Sequence, residues 1–451
     1  MIVPKPFDKF RDNPRPPLLG FATLMRKSLA GESLAAISSA LIERAARDPG
    51  DASAMLDLAT VLQLTFQSEL GLAAQAHALE VQQLYHLGQP AGYAGIRLLA
   101  IAAPGDFMAN IPLDCLLEGS DVSLDVLYVS PSLALPGSLP DHDVVIVTIG
   151  EPDRNAATLR QVATLLERTS RPVLNRPERS LLLGRDSTCA LLAGAPGISM
   201  PLTARADPAA LHRVASEAAD VGSVLPGGAF PMIVRPVGSH AGRALAKVDD
   251  PAGLAAYLGE SIASEYYVSR FVDYRGADGF FRKYRIVLVD GVPYACHMGV
   301  SEHWMIHYLN AGMAESAGKR AEEARFMATF EADFATRHRH AFAEINRRMG
   351  LDYIGIDCAE LPTGELLIFE VDTGMIVHGM DPVDIYPYKQ PTMNKVFRAF
   401  RELLAKATET FRADHPPEQS TTRRVDGWRP AMPEIGHPSL VPTIDATPPI
   451  G

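Results

Sequence analysis

Residues 355–372 read Gly355-Ile356-Asp357-Cys358-Ala359-Glu360, then Leu361-Pro362-Thr363-Gly364-Glu365, then Leu366-Leu367-Ile368-Phe369-Glu370-Val371-Asp372. Two apolar runs flank a turn containing Pro and Gly, which predicts a β-hairpin. The hairpin brings Asp357, Glu370 and Asp372 near one another. Glu370 and Asp372, two residues apart, share one face of their strand. Carboxylates that interrupt apolar strands cannot sit there unpaired. They need cations, and all-oxygen ligation suits Mg2+ bridging to phosphates. These three are therefore the candidate metal ligands. The alternative is a solvated hairpin with charged edges.

The rest of the chain sets the frame for that hairpin. Its 451 residues suffice for two or three domains with real cores. A hydrophobic content of 47% and a charged content of 21% suit a globular chain. The net charge of −11 argues against a nucleic-acid-binding surface. Cys115, Cys189, Cys296 and Cys358 are far apart and lack C-x-x-C spacing. They suggest buried thiols in a reducing cytoplasm. No apolar run approaches the roughly 20 residues that span a bilayer, so no membrane partner is expected. The start, Met1-Ile2-Val3-Pro4-Lys5-Pro6-Phe7-Asp8, has no apolar core of a secretory signal.

Composition and periodicity divide the chain. Residues 1–29 read as a mobile arm, and 30–92 as helices. Leu34, Ile37, Leu41 and Ile42 have helical spacing, Asp48-Pro49-Gly50-Asp51 is a break, and two more amphipathic stretches follow. Residues 93–176 change period. Ile96–Ala103, Leu124–Val129, Asp143–Gly150 and Pro172–Asn175 read as short strands, with helical stretches near 107–118 and 155–169. Strands alternating with helices predict a small, mainly parallel α/β unit. Asp106 and Asn110 either line a crevice at its strand ends or cap a helix, and capping is preferred. Residues 177–407 hold further strands, a hairpin signal at Asp290-Gly291 and a long polar helix at about 319–348. From 408 to 451 Pro, Thr and charge dominate, which predicts a disordered tail.

Three segments accompany the carboxylates. In Ile233-Val234-Arg235-Pro236-Val237-Gly238-Ser239-His240-Ala241-Gly242 a strand ends in a cation and enters a loop with two glycines. Such a loop lets N–H groups approach phosphate oxygens, while Arg235 supplies charge. In Phe281-Arg282-Lys283-Tyr284-Arg285, Lys283 and Arg285 project from one strand face; edge-strand solubility charges are the other reading. In Ser269-Arg270-Phe271-Val272-Asp273, backbone groups and the Phe271 ring suit an adenine, or form an ordinary strand exit.

Together and in this order, the segments over roughly 95–405 resemble the ATP-grasp superfamily, above all its glutathione-synthetase-like and ribosomal-protein glutamate-ligase branch. The resemblance implies an α+β ATP-grasp fold: a helical N-terminal segment, a small parallel α/β domain, then the ATP-grasp domain. Asp357 with Glu370 and Asp372 resembles the family's Asp…Glu-x-Asn magnesium ligands, with Asp in place of Asn. Arg285 resembles the arginine that contacts the transferred phosphate. Arg185 and Arg235 fall where the family carries lysines, which keeps charge but changes geometry. The implied nucleotide contacts are Arg185, Arg235, Gly238, Ser239, Gly242, Phe271, Val272 and Lys283. His307 and Asn310, in Ser301–Gly312, fall where related ligases place a loop near the γ-phosphate. His303 and His307 also have the four-residue spacing of a helical metal pair, but no third ligand accompanies them. The N-terminal Asp-Pro-x-Asp and Ala-rich pattern looks like about one tetratricopeptide repeat or a plain helical cap.

The resemblance implies a ligase that spends ATP, with Mg2+ or Mn2+, to join a small carboxylate to an amine, either of them an amino acid or peptide. A protein- or peptide-modifying ligase recruiting through the helical N-terminus, a small-molecule kinase on the same fold and a non-catalytic ATP-binding module remain alternatives. A homodimer is one assembly left open.

Overall fold

The computed structural model describes residues 17–88, 95–150, 152–240 and 242–414. The first 16 residues of the expected arm, the expected boundary at 92/93 and the tail beyond 414 lie outside the described residues. Within them the chain is a mixed α/β structure built on three sheets.

The first sheet contains β1 (Leu84–Gly88), β2 (Arg97–Ala102), β3 (Ser123–Tyr128), β4 (Val144–Val147) and β5 (Val173–Leu174), in the order β1-β3-β2-β4-β5. All its pairs are parallel except β1 with β3. Continuous apolar runs such as Val144–Val147, buried at every position, suit strands covered on both faces. One face packs on helix Pro152–Leu166 through Leu159, Val162 and Leu165. The other packs on helix Lys389–Asp414 through Val396, Phe400 and Leu404.

The second sheet contains β7 (Thr203–Ala206), β8 (Met232–Pro236), β9 (Ala246–Val248) and β10 (Tyr266–Arg270), all antiparallel, in the order β7-β10-β8-β9. The third contains β6 (Ile198–Ser199), β11 (Phe281–Val289), β12 (Val292–Ser301), β13 (Tyr353–Glu360) and β14 (Leu366–Asp372), in the order β12-β11-β13-β14-β6. Both hairpin turns are formed as expected. Asp290 and Gly291 have φ of 50° and 77° in the tight turn between β11 and β12, and Gly364 has φ of 84° between β13 and β14.

Some expectations are corrected. The arm is helical from 21 onward. Helix α1 (Phe21–Leu29) buries Leu24, and the two carboxylate oxygens of buried Asp57 accept the N–H groups of Leu19 at 2.9 Å and Gly20 at 3.1 Å. Helices α2 (Leu34–Arg47), α3 (Ala52–Leu64) and α4 (Ser68–Val81) follow, and α3 and α4 pack on Tyr85 of β1, so the segment acts as a cap on the first sheet. The helical stretch near 107–118 is only Leu113–Leu116. The long polar helix is three pieces, Ala317–Thr329, Phe334–Arg337 and Arg339–Met349, because Phe330 and Phe334 turn inward and bury. The last helix continues past 408 to Asp414 with Thr408 buried. Among the described residues no helix is long and apolar enough to cross a membrane. All four cysteines are free and buried.

Candidate functional site

Four residues lie in one row across the third sheet. His297 on β12 pairs with Arg285 on β11, Arg285 with Asp357 on β13, and Asp357 with Glu370 on β14. Two bulges set this row. β12 carries an extra residue, Cys296, at the step between Arg285 and Ile286, and β14 carries Phe369 between Asp357 and Cys358. A bulge re-aims the side chains beyond it. Here it brings Glu370, rather than Phe369, opposite Asp357. The carbonyl of Phe369 accepts Nη1 of Arg185 at 3.1 Å, and Nη2 of Arg185 pairs with Glu370.

Asp357 is 1% exposed, and its carboxylate is enclosed by cations. Oδ1 accepts Nε of Arg285 at 2.8 Å, Oδ2 accepts Nη2 at 2.9 Å, and Lys283 Nζ lies 2.7 Å from Oδ2. Burial alone would push this carboxyl up, but Arg285 and Lys283 hold it well below the usual carboxylate range. Burial pushes the His297 imidazole well down, with Arg285 adding to the effect, so the ring is neutral. Its ring meets that of Tyr308 at a tilt of 51°, with centroids 4.7 Å apart.

Glu370 is likewise held below its usual range by Arg185 and Arg235 in spite of burial. Asp372 behaves oppositely. Burial first, and Glu370 second, push it up to about 6. It sits where β14 meets the first sheet. A Cβ on Gly150 would lie 3.1 Å from its Oδ1, a tight contact, and a Cβ on Gly374 would lie 2.4 Å from the carbonyl oxygen of Met108, so glycine is required at 374 for this close approach.

Arg235, 8% exposed, ends β8 beneath the Gly-containing loop. Its Nε donates to Ser239 Oγ at 3.1 Å and its Nη2 to the Ser239 carbonyl. Burial, then Arg185, push its pKa down to about 10. Gly238 and Gly242 have φ of 72° and 73°, left-handed values that suit glycine. The N–H of Phe271 donates to the Pro231 carbonyl at 3.3 Å, its ring meets Trp304 edge-on at 5.7 Å, and Lys247 Nζ lies 4.9 Å from the ring. Phe271 and Val272 line a cavity of about 530 Å³ together with Met200 and Leu225.

The structure therefore brings together Arg185, Arg235, Arg285, Lys283, Asp357 and Glu370, linked by ion pairs or electrostatic interaction, with Asp372 beside Glu370. It does not form the expected three-carboxylate cluster: among the described residues no group of three His, Cys, Asp or Glu side chains could hold a metal ion. Asp357 is withheld by Arg285 and Lys283. Glu370 and Asp372 fit a cation better. They repel one another in a buried place, and Thr373 Oγ1 beside them is buried without a partner among the described residues. His303 and His307 lie in bends and extended backbone rather than on a helix, so they do not share a helix face. The His307 N–H donates to Asn310 Oδ1 at 3.0 Å, entering a 3-10 turn at Tyr308–Asn310. Partial enclosure, then Lys283, hold the His307 pKa below its ordinary value.

Asp106 and Asn110 do not line the site through their polar groups. Asp106 Oδ1 accepts the Met108 N–H at 3.0 Å. Asn110 exchanges two 2.8 Å bonds with the backbone of Ala103 and so braces the end of β2 instead of capping a helix. Sequence reasoning missed His297, whose place is set by the bulge, and Arg205. The latter joins Asp186, Glu265, Tyr267 and Asp153. It also missed a buried cluster behind Tyr308. Glu323, fully buried, accepts Tyr308 Oη at 3.0 Å and Tyr388 Oη at 2.7 Å, and Lys389 donates to Tyr308 Oη at 2.5 Å and to Asp381 Oδ1 at 3.0 Å. Lys and Glu in amphipathic helices gave no signal of burial.

No protein-family model matches the chain, and no curated protein matches it. Similar solved structures do exist. The VanG D-Ala:D-Ser ligase from Enterococcus faecalis is 14% identical, with 70% of this chain and 99% of that one covered and a TM-score of 0.42. A RimK domain ATP-grasp protein from Sphaerobacter thermophilus is 18% identical, with 68% and 99% covered and a TM-score of 0.38. D-alanyl-alanine synthetase A from Vibrio cholerae is 15% identical, with 71% and 99% covered and a TM-score of 0.43.

Proposed function

We propose that the chain is an ATP-dependent carboxylate–amine ligase of the ATP-grasp type that releases ADP and phosphate. The observation that carries this reading is the convergence of Arg185 and of Arg235, itself bonded to Ser239 of the glycine loop, on Glu370 in the row Arg285–Asp357–Glu370. Phosphoryl transfer asks a protein for positioning and charge neutralisation more than for covalent help. Buried Arg235 and the partly buried Arg185, with left-handed Gly238 and Gly242 beside them, supply both.

In this reading the nucleotide phosphates lie against Arg185, Arg235 and the loop, with the base against Phe271 and Val272. A divalent cation held by Glu370 and Asp372 would neutralise phosphate charge. The substrate carboxylate attacks the γ-phosphorus, ADP leaves, and an acyl-phosphate forms. An amine then attacks the acyl carbon, phosphate departs, and the nitrogen gives up a proton. Arg285 and Lys283 face the anionic group being transferred. His307, held neutral, can accept the amine proton, and Asn310 fixes the turn that carries it.

The test is Mg2+-dependent release of ADP and phosphate across a panel of amino acids, dipeptides and small carboxylates, with Glu370→Ala as the blank. One acid–amine pair should stimulate turnover, and the variant should lose on the order of 10²–10³ in rate. Near-native turnover by Glu370→Ala would overturn the assignment. A stable phosphate ester without free phosphate would make the enzyme a kinase.

A further inference from the structure

Helices α1 and α4 of the N-terminal segment reach two loops beside Asp372. One is the loop after β2. Gln75 of α4, only 8% exposed, grips Gly105 there at both polar groups: its Oε1 accepts the Gly105 N–H at 2.8 Å, and its Nε2 donates to the Gly105 carbonyl at 3.1 Å. Two residues on, the Phe107 ring meets that of Phe21 on α1, with centroids 4.9 Å apart. The other is the loop after β14. Its Met380 is buried with Ala22 of α1 and with Cys115, and Phe21 and Met25 pack around them.

α1 is itself held from two sides. Asp57 of α3 accepts the N–H groups of Leu19 and Gly20, and Asp114 of helix Leu113–Leu116 accepts the Ala22 N–H at 2.7 Å. Leu24 is fully buried in a cluster with Leu41, Ala54, Leu58 and Val61. The two loops, in turn, border the site. The N–H of Gly150, beside Asp372, donates to the Ala109 carbonyl at 2.9 Å, and the Met108 carbonyl closes on Gly374. In the loop after β14 the Ile376 carbonyl accepts Nη1 of Arg285 at 3.3 Å, and Asp381, next to Met380, accepts Nζ of Lys389 at 3.0 Å. An amide bonded to both polar groups of one residue fixes that residue's place, and its loss leaves both groups short of a partner.

We infer that the N-terminal helices are built into the site, and that Gln75 and Phe21 are positioning residues. Through the loops at 105–109 and 373–381 they set how the carboxylate and amine substrates are held, and not how the nucleotide is. This division rests on the ligase reading above, which lays the nucleotide against the second sheet and leaves these loops to the other two substrates. A misplacement of about 1 Å can cost on the order of 10²-fold in rate, so residues that touch no substrate still govern turnover.

The experiment compares the full-length wild type with Gln75→Leu, Phe21→Ala and Phe21→Leu. Phe66→Asn is the control, since Phe66 is 95% exposed in the turn between α3 and α4. Kinetics use the acid–amine pair of the panel above that best stimulates the wild type. Gln75→Leu and Phe21→Ala should each lose at least tenfold in kcat/KM for the acid or the amine, with the KM for ATP within about twofold of wild type. Amide exchange should quicken at 105–109 in both variants, and at 374–381 in Phe21→Ala, but not in β13. Phe21→Leu should recover most of the loss, and Phe66→Asn should match the wild type. Unchanged kcat/KM for both substrates, or a KM for ATP that rises in step, overturns the inference alone. Stimulation of the wild type by no acid–amine pair overturns the ligase reading instead. Exchange then decides: quickening confined to the two loops supports the hold of the helices on them, and unchanged exchange overturns it. Should Gln75→Leu fail to fold, the two Phe21 variants decide.

Discussion

Arg285 and Asp357 face one another across β11 and β13 and are joined at two points, Nε to Oδ1 at 2.8 Å and Nη2 to Oδ2 at 2.9 Å. The pair is the middle of a row that runs from a neutral imidazole at His297 to a second carboxylate at Glu370, itself met by Arg185. Asp357 is 1% exposed, so its charge must be answered by a neighbour, while Arg285 and Glu370 are only partly buried.

That interlocking makes Arg285 a stability determinant as well as a site residue. Arg285→Met leaves Asp357 buried with Lys283 alone, and loss of one partner of a buried pair costs about 3–5 kcal/mol. The pH dependence has a defined sign. Asp357 is depressed in the folded state, so its contribution is present above the ordinary Asp value of about 3.9 and fades as pH falls through the folded value. With Arg285 gone the folded value rises, and acid unfolding followed by circular dichroism should begin at higher pH than in wild type. An unchanged acid transition would show that Arg285 does not hold this carboxylate.

Asp372 carries the opposite sign. Its folded value of about 6 lies above the ordinary one, so the folded state prefers the proton. Stability should fall as pH rises from about 4 through 6, and the penalty is complete above that. In EDTA at pH 7.5, Asp372→Asn should therefore be more stable than wild type by on the order of 2 kcal/mol, with the difference gone near pH 4. Urea midpoints at the two pH values measure it. Addition of Mg2+ and ADP should stabilise the wild type more than the variant.

Much of the site was legible because it is made of strands with short turns. Alternation put Glu370 and Asp372 on one face, and Asp290-Gly291 fixed the start of a hairpin. The row itself was not legible. Counting back from Asp290-Gly291 sets Cys296 opposite Arg285, and counting from the 361–365 turn sets Phe369 opposite Asp357. One extra residue in each strand shifts the partners to His297 and Glu370. No local pattern announces such a bulge, since Cys296 and Phe369 suit a regular strand equally well. The role of Asp357 was hidden for a related reason. A carboxylate in an apolar strand announces that it needs a cation, but whether that cation is a metal or a guanidinium depends on the strand beside it. Helix Phe21–Leu29 was missed because Asp114, far along the chain, accepts the Ala22 N–H of its first turn at 2.7 Å, while Asp57 holds the N–H groups of Leu19 and Gly20 just before it.

Lys389 should govern the loop that carries His307. It is 3% exposed, lies 4.1 Å from the centre of the Tyr308 ring and donates to the Tyr308 hydroxyl, while Glu323 accepts from the same hydroxyl. Lys389→Met removes the cation from a buried network and leaves Glu323 and Asp381 without it. The expected loss is about 3–5 kcal/mol. Amide exchange in 302–312 should accelerate more than exchange in β13. Uniform acceleration across both segments would mean that Lys389 serves the core at large and has no special hold on the loop.

Arg205 joins three parts of the chain. Its guanidinium meets Asp186 beside Arg185 at 2.9 Å, Glu265 before β10 at 2.9 Å, Tyr267 on β10 at 2.7 Å, and Asp153 at the start of helix Pro152–Leu166. Tyr267 closes the circuit by donating to Asp153 at 2.6 Å. The second sheet, which carries Arg235 and the glycine loop, is thereby tied to the helix that covers the first. With Arg205 29% exposed, solvent weakens each ion pair, so Arg205→Gln should cost only about 1–2 kcal/mol. Its larger effect should be on geometry: β7 and β10 lose their fixed relation to Arg185, and the KM for ATP should rise at least fivefold with kcat little changed. A fall in kcat at constant KM would place Arg205 in the chemistry instead of in the alignment of the two sheets.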